Sequence, residues 1–311
     1  VRALLVVNPL ATSTTAAGRD VLAHALASQV KLDVLSTQYR GHAAEATAAA
    51  ARAGFELVIV HGGDGTVNEV VNGLMEARAP GPPRAEESPL LAVVPGGSAN
   101  VFARALGLPH DALEATAAVL HALEERRSTT VRLGRADDRW FTFNAGLGWD
   151  AEVVASVERA RARGNEASPA RYAASALRHY LHQRRHPSSI SVELPDARPL
   201  REIRLCVVCN TDPWTYLGPR PVRTNPGCGS TEGLALFALR TLGLGTVLPV
   251  IREILAADGD PSGPNVIRRD QLPLIRVSSE TPLALQVDGD YLGQHSEVEF
   301  VSVPSALRVV V

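Results

Sequence analysis

Lysine is almost missing from this chain: Lys31 is the only one, and arginine carries nearly all of the positive charge. A bias spread over the whole sequence points to genomic preference rather than to function. Long apolar runs are missing as well. Runs such as Leu57–Val60 and Cys206–Cys209 fall far short of the roughly 20 residues that a membrane-spanning helix needs. No charged leader precedes Ala3-Leu4-Leu5-Val6-Val7. That stretch reads as a buried strand and not as a signal peptide, so the cytoplasm is the expected compartment. Neither sign of charge dominates, the formal net charge being −2. A nucleic-acid binder would show a basic domain, so no nucleic-acid partner is expected. Cysteine is scarce, at three residues, two of which form Cys206-x-x-Cys209. They lie in an apolar run that reads as a strand, where positions three apart face opposite sides. A redox pair would sit at a helix N-terminus, so buried, inert thiols are expected. There is no internal repeat and no low-complexity segment.

What is present is a chain long enough for two ordinary domains, with an apolar fraction of 45% that can bury a sizeable core. The first third alternates strand and helix. Strands are expected at Leu4–Val7, Lys31–Ser36, Leu57–Val60 and Leu90–Val94. Helices are expected at Ala16–Gln29, Ala43–Ala53, from Thr66 as cap through Leu74, at Ala99–Leu106 and at Asp111–Glu125. The segment Ala79–Pro89 reads as a surface loop. Alternation of this kind argues a parallel sheet with helices on both faces. Near Thr129 the character changes to short β-rich runs: Thr130–Leu133, Trp140–Asn144, Ile190–Leu194, Ile203–Asn210, Leu234–Leu239, Leu274–Val277, Leu283–Val287, Val298–Val303 and Leu307–Val311. These suggest an antiparallel sandwich or barrel, interrupted by helical regions at about 151–186 and 245–257.

Three strand ends in the first domain carry loops suited to phosphate: Asn8-Pro9-Leu10-Ala11-Thr12, Gly62-Gly63-Asp64-Gly65-Thr66, and Pro95-Gly96-Gly97-Ser98-Ala99-Asn100. Ligands of open parallel sheets bind outside the carboxyl ends of the strands. Glycines admit a close backbone approach, and the following helix offers unpaired N–H groups and a partial positive charge. Thr66 and Ser98 add hydroxyls. A lone Gly-Gly loop is explained equally well as a turn, but three phosphate-suited loops at strand ends of one sheet are harder to dismiss. An acid in such a loop, Asp64, makes sense if it holds Mg²⁺ or receives a proton.

The run Gly62-Gly63-Asp64-Gly65-Thr66-Val67-Asn68-Glu69-Val70-Val71-Asn72-Gly73-Leu74 resembles the signature of the diacylglycerol kinase catalytic domain family. That family includes bacterial soluble diacylglycerol kinases and the sphingosine and ceramide kinases. Pro95–Arg104, Asn8-Pro9, Thr37 with Gly41-His42-Ala43, Phe143–Ala151 and Val287-Asp288-Gly289-Asp290 match further family segments, so the resemblance runs along essentially the whole chain. It implies an N-terminal Rossmann-like parallel α/β domain over residues 1–128, of the NAD kinase/diacylglycerol kinase type. A C-terminal strand at about 305–311 returns to it. A C-terminal antiparallel β-sandwich for the lipid covers 129–304, with a helical insert at 151–186.

The resemblance also implies ATP and Mg²⁺ as cofactors. ATP would lie against Asn8, Pro9, Leu10, Ala11, Thr12, Thr37, the segment from Gly62 and Gly63 through Asp64, Gly65, Thr66, Val67, Asn68 and Glu69, and Gly97 with Ser98. Asp290 stands where the family carries the general base of an Asp-Gly-Glu motif; read without the family, Asp288-Gly289 is a hairpin turn. Asp64 would organise the metal indirectly, through Mg-ATP. The activity implied is transfer of the γ-phosphate to a lipid hydroxyl, diacylglycerol to phosphatidate first.

This chain departs from the family at several places. Ser13-Thr14-Thr15 follow the first loop where a basic residue is usual, which leaves Arg19 to supply that charge. Val101 and Arg132 replace two acids of the family's metal network, leaving Asp64 as the surviving member. Thr231-Glu232-Gly233 replaces an Asn-Asp-Gly turn, so a structural metal at Glu232 is only a weak expectation. Other readings compatible with the sequence are a sphingoid or ceramide kinase, an NAD kinase, and a nucleotide-binding regulatory protein that has lost catalysis.

The helical region at 151–186 carries Arg159, Arg161, Arg163, Arg171, Arg178, Arg184 and Arg185 with His179, His182 and His186. These residues either dock on an anionic membrane surface at the inner face of the membrane or form a solvated face. The histidines, with no acid close by in the sequence, read as a polar face rather than a metal site. A homodimer is compatible with the sequence, which does not itself fix oligomeric state.

Overall fold

The computed structural model describes residues 1–78, 85–162, 174–181, 189–228 and 233–311, with the side chains of 161 and 162 excepted. The expectations resting on residues 79–84, on Arg161, Arg163, Arg171, His182, Arg184, Arg185 and His186, and on Glu232 lie outside the described residues. The chain divides into two compact units, Val1–Leu133 with Val303–Val311, and Gly134–Ser302.

In the first unit, β1 (Arg2–Val7), β2 (Lys31–Ser36), β3 (Leu57–Gly62) and β4 (Leu90–Pro95) lie in the order β2-β1-β3-β4, all parallel. Continuous apolar runs form the inner strands β1, β3 and β4, buried on both faces as in a parallel sheet, while the edge strand β2 is half polar and more exposed. Residues 303–311 return to this sheet, with Val309 opposite Leu91 in a parallel pairing. One face is covered by α1 (Ala16–Ala27) and α5 (Ala112–Glu124), whose Leu22, Leu26, Val119 and Ala122 pack on Leu5, Val7, Leu57 and Ile59. α2 (His42–Arg52) and α3 (Asp64–Glu76) pack on β1 and β3 and on each other. Gly73 makes that last contact possible, because a Cβ there would stand 2.3 Å from the Ala44 carbonyl oxygen. The short α4 (Val101–Ala105) follows β4.

Two helix starts differ from expectation. Thr66 lies inside α3, whose N-cap is Gly63 with no side-chain cap. Ser98 precedes α4 without starting it; the N-cap is Asn100, at a positive φ of 50°.

The second unit is antiparallel. Its strands are β5 (Thr129–Ala136, entering from the first unit), β6 (Arg139–Phe141), β7 (Asn144–Leu147), β8 (Ile190–Glu193), β9 (Leu200–Ile203), β10 (Leu205–Cys209), β11 (Thr215–Leu217), β12 (Arg220–Val222), β13 (Leu234–Leu239), β14 (Val266–Leu272), β15 (Leu274–Val287) and β16 (Asp290–Val309). One layer runs β14-β13-β10-β7-β15. The other joins β9 and β8 to the first half of β15. β15 is thus a member of both layers: Arg276–Ser279 pair with β8 and Leu285–Val287 with β7. Between the layers Leu147, Cys206, Val208 and Leu236 from one meet Ile190, Val192, Ile203 and Val277 from the other in a single buried core. This is a β-sandwich.

Where the expected β runs differ, pairing explains it. Trp140–Asn144 breaks into β6 and β7 because the N–H groups of Thr142, Phe143 and Asn144 bond the Asp288 carboxylate instead of a neighbouring strand. Ile203–Asn210 breaks at Arg204, where the chain crosses from the layer of β9 to that of β10. Leu274–Val277 and Leu283–Val287 are one strand with an irregularity between Ser278 and Leu283. The outer face of β10 and β13 is covered by α6 (Trp149–Ala162), α7 (174–181) and α8 (Leu244–Ile254), through Trp149, Tyr180, Val247, Val250 and Ile254. Cys206 belongs to the inner core and Cys209 to this outer one. Burial pushes the Cys206 thiol up to about 12 and raises Cys209 well above its ordinary value, so both are inert at neutral pH.

Candidate functional site

Parallel register levels the strand ends of the first unit. Val7 stands opposite His61, and Gly62 opposite Pro95. The three loops are then tied together by backbone. Asn8 N–H donates to the His61 carbonyl at 3.0 Å, Gly96 N–H to Gly62 at 2.8 Å, and Ser13 N–H to Gly96 at 3.0 Å. The glycines lie layer on layer. A Cβ on Gly97 would stand 2.7 Å from the Gly63 Cα, and one on Gly96 would stand 3.0 Å from the Gly62 Cα. A side chain at Gly62 would run into Thr66 at 2.8 Å. Loop-against-loop packing therefore requires these glycines before any ligand is considered.

Side chains complete the ties. Asn8 Nδ2 donates to the Thr66 hydroxyl at 3.0 Å, while Asn8 Oδ1 accepts from Leu10 N–H at 3.0 Å. His61 is buried, 3.2 Å from the Val94 carbonyl through Nδ1 and 3.1 Å from the Thr14 hydroxyl through Nε2. A carbonyl only accepts, so Nδ1 carries the proton, and Nε2 accepts from Thr14 in the neutral ring. Burial lowers the His61 pKa and keeps it in that form. Its role is a clamp, not a cation for phosphate.

Asp64 is the first residue of α3, and its Oδ1 accepts from Phe102 N–H in the first turn of α4 at 3.3 Å. Glu69 holds the start of α2: its carboxylate accepts from Gly41 N–H at 2.9 Å and Ala43 N–H at 3.2 Å. Gly41, at φ 91°, has no cap of its own. Val67 and Asn68 are buried in the body of α3. Leu10 is 92% exposed at the tip of the first loop, with Pro9, Thr12 and Ser98 also exposed, and Ala11 and Thr37 partly so. Thr37 extends β2 beside β1, donating its N–H to Val7 at 2.8 Å. Arg19 is paired with its exposed neighbour Asp20 at 2.7 Å. Val101 is buried in α4.

This arrangement fits a phosphate chain with its magnesium. The N-terminus of α3 carries no side-chain cap and opens on the level strand ends. Among the described residues no group of three or more His, Cys, Asp or Glu side chains is placed to hold a metal. Magnesium commonly needs only one or two carboxylates beside substrate phosphates, and Asp64 is the carboxylate at hand.

In the second unit, Asp288 and Gly289 turn the chain from β15 to β16 with φ of 50° and 82°, as a two-residue hairpin of this kind requires. Asp288 is buried and fully engaged: it accepts from Thr142 N–H and Oγ1 at 2.7 and 2.8 Å, from Phe143 N–H at 2.9 Å, and from Asn144 N–H at 3.1 Å. Asp290 begins β16, partly exposed, with the Arg139 guanidinium 3.6 Å away. Behind the turn lies a polar hub that sequence reasoning missed. Gln286 Nε2 donates to Asn144 Oδ1 and Asp150 Oδ2, both at 2.7 Å, and Gln286 Oε1 accepts from Gly289 N–H at 2.9 Å. Burial pushes the Asp150 carboxyl up to about 6, against the lowering effect of Gln286. The available signal was Gln286 itself, a polar residue in the apolar run Leu283–Val287. His179, expected to lack a nearby acid, stands 3.2 Å from Glu152 across α6 and α7.

Residues 2–136 match the family model described as diacylglycerol kinase catalytic domain, so the resemblance carried by Gly62–Leu74 holds. The diacylglycerol kinase of Bacillus subtilis (strain 168) is 37% identical over 123 residues, which cover 39% of this chain and 37% of that protein. The match thus spans little more than a third of that relative's length. Among solved structures, a diacylglycerol kinase from Bacillus anthracis (strain Sterne) superposes with a TM-score of 0.73 at 21% identity, covering 99% of this chain and 96% of that one. An NAD kinase from Archaeoglobus fulgidus in complex with ATP gives a TM-score of 0.52 at 11% identity, covering 99% and 93%. At these identities the likeness is one of fold. No helix among the described residues is long and apolar enough to cross a membrane.

Proposed function

We propose that this chain is an ATP-dependent lipid kinase that transfers the γ-phosphate to a lipid hydroxyl, with diacylglycerol as the first acceptor and phosphatidate as its product. The observation that carries this reading is the uncapped N-terminus of α3, set among interlocked glycines at the ends of β3 and β4 and tied by backbone to the loop after β1. It supplies backbone donors that need no reorganisation when phosphates arrive. The family match over residues 2–136 supports a kinase, and an ATP complex of a protein with the same fold supports the donor.

In this reading the first unit binds ATP through Asn8–Thr12, Thr37, Gly62–Glu69 and Gly97-Ser98. Magnesium bound with ATP would neutralise phosphate charge. Asp64 would orient that pair while its Oδ1 stays fixed by Phe102 N–H. Glu69 contributes by holding α2 in place rather than through a free carboxylate. The second unit takes the lipid. Asp290 accepts the proton of the lipid hydroxyl as its oxygen bonds the γ-phosphorus, and the bond to the bridging oxygen breaks to release ADP. The Asp288 turn and Gln286 fix the backbone on which Asp290 stands. The enzyme would work from the cytoplasm, at the inner face of the membrane.

The test is transfer of labelled γ-phosphate to diacylglycerol, monoacylglycerol, ceramide, sphingosine and NAD in parallel. A labelled lipid is expected. Transfer to NAD alone would replace this reading with an NAD kinase, and ATP binding without any transfer would favour a regulatory protein.

A further inference from the structure

The second unit holds a cavity of about 370 Å³, lined by Glu152, Ala155 and Arg159 of α6, Arg178 and His179 of α7, and Ala284, Tyr291 and Gln294 of β15 and β16. Asp290 does not line it. Successive side chains on a strand leave opposite faces, so Tyr291 turns toward the cavity and Asp290 away from it.

The charges on its wall are unbalanced. Among the described residues Glu152 is the one acid on this wall, and His179 stands 3.2 Å from its carboxylate. Arg159 and Arg178 are exposed, and among the described residues neither has an acidic partner. Two guanidiniums with no acidic partner among the described residues, on separate helices but lining one cavity, are suited to a shared anion. Their planar forks match the oxygens of a phosphate. Tyr291 and Gln294 add a hydroxyl and an amide on the strand side. The volume lies within the range of small-molecule sites, roughly 300–1,000 Å³, and exceeds what a bare phosphate ion fills. Leu177 and Leu181, 58% and 47% exposed, flank Arg178 on α7. Residues three and four apart on a helix are neighbours, so the arginine is bordered by apolar surface that a soluble anion would leave unused.

We propose that this cavity binds a phosphate monoester, with the headgroup of an acidic lipid as its source. The inference goes beyond the kinase reading and does not require it, although phosphorylation of a lipid hydroxyl makes such a headgroup.

The experiment uses the full chain without ATP. Binding is measured to phosphatidylcholine vesicles with and without phosphatidate, to vesicles carrying phosphatidylglycerol, a phosphate diester, and to soluble glycerol 3-phosphate. Phosphatidate vesicles are expected to bind most tightly. The double variant Arg159→Ala/Arg178→Ala should weaken that binding at least about tenfold, the scale of one lost charged hydrogen bond. Glycerol 3-phosphate binding alone, lost in the same variant, would keep the phosphate site and assign it a soluble source. Should the alanine variant not fold, Arg178→Lys keeps the charge without the fork and should still weaken binding. Equal binding to both anionic vesicles, binding that survives the substitutions, or no binding to any of the four would overturn the proposal. Phosphoryl transfer is not read in this assay, so failure of the kinase reading leaves its result intact.

Discussion

Asp64, at the start of α3, accepts the backbone N–H of Phe102 at 3.3 Å and so helps to seat the first turn of α4. One carboxylate therefore has a structural partner and a proposed catalytic one, and two substitutions separate them. Asp64→Asn keeps an oxygen for Phe102 and should unfold in urea within about 0.5 kcal/mol of the parent. Its phosphoryl transfer should fall by about 100-fold or more, as for loss of one preorganised electrostatic group. Asp64→Ala should lose a further 1 kcal/mol or so of stability. Full transfer by Asp64→Asn would remove Asp64 from the mechanism.

Asp288 and Asp290 stand two residues apart and should behave in opposite ways. Asp288→Ala strips acceptors from four donors and should cost about 3 kcal/mol or more. Asp290→Asn should leave the melting temperature nearly unchanged and reduce turnover by about 100-fold or more, as for loss of a general base. An Asp290→Asn protein that binds ATP and turns over normally would refute the base assignment.

Gly97→Ala places a methyl group 2.7 Å from the Gly63 Cα and 3.0 Å from the Asn100 side-chain oxygen. We expect a loss of about 1–3 kcal/mol, the usual range for overpacking, together with weaker ATP binding measured by calorimetry. Gly245→Ala is the control, because a Cβ there meets nothing within 4 Å.

The Asp150 carboxyl titrates near 6 in the folded protein, above its ordinary value of 3.8. The folded state therefore holds this proton more tightly than the unfolded state. Its contribution to stability is complete below about pH 4 and declines as pH rises through 6. Asp150→Asn can still accept from Gln286 and carries no charge. The stability difference, variant minus parent, should grow from pH 4 to pH 7 and level off at a gain of about 1–3 kcal/mol. A flat difference in chemical denaturation across that range would show that Asp150 is solvated like an ordinary carboxylate.

The inner parallel strands β1, β3 and β4 were legible because each is a short apolar run that ends at or beside a glycine or proline; Lys31–Ser36 of the parallel sheet and Leu234–Leu239 of the antiparallel one emerge with the expected limits. β14 was not, since Ile267-Arg268-Arg269-Asp270-Gln271 is mostly polar and held by its partner β13. β15 looked like two strands because Ser278–Pro282 interrupts its apolar pattern, yet the change of partner from β8 to β7 occurs within one extended segment. At the site, the glycine loops and the Asp288 turn could be read directly. Glu69 could not: its partners, Gly41 and Ala43, lie 28 and 26 positions upstream, and only the packing of α2 on α3 brings them together. A helix capped by a residue of another helix leaves no local pattern in sequence.

Residues 303–311 supply a strand to the first unit, and Val310 N–H bonds the Leu91 carbonyl at 2.8 Å. Everything from Gly134 to Ser302 must therefore leave the ribosome before the opening unit can close its sheet. During synthesis β4 waits with one edge unpaired, a state in which strands tend to pair wrongly. The sandwich can complete its own core during that interval, so in the order of translation the segment in the middle of the chain has the first opportunity to finish.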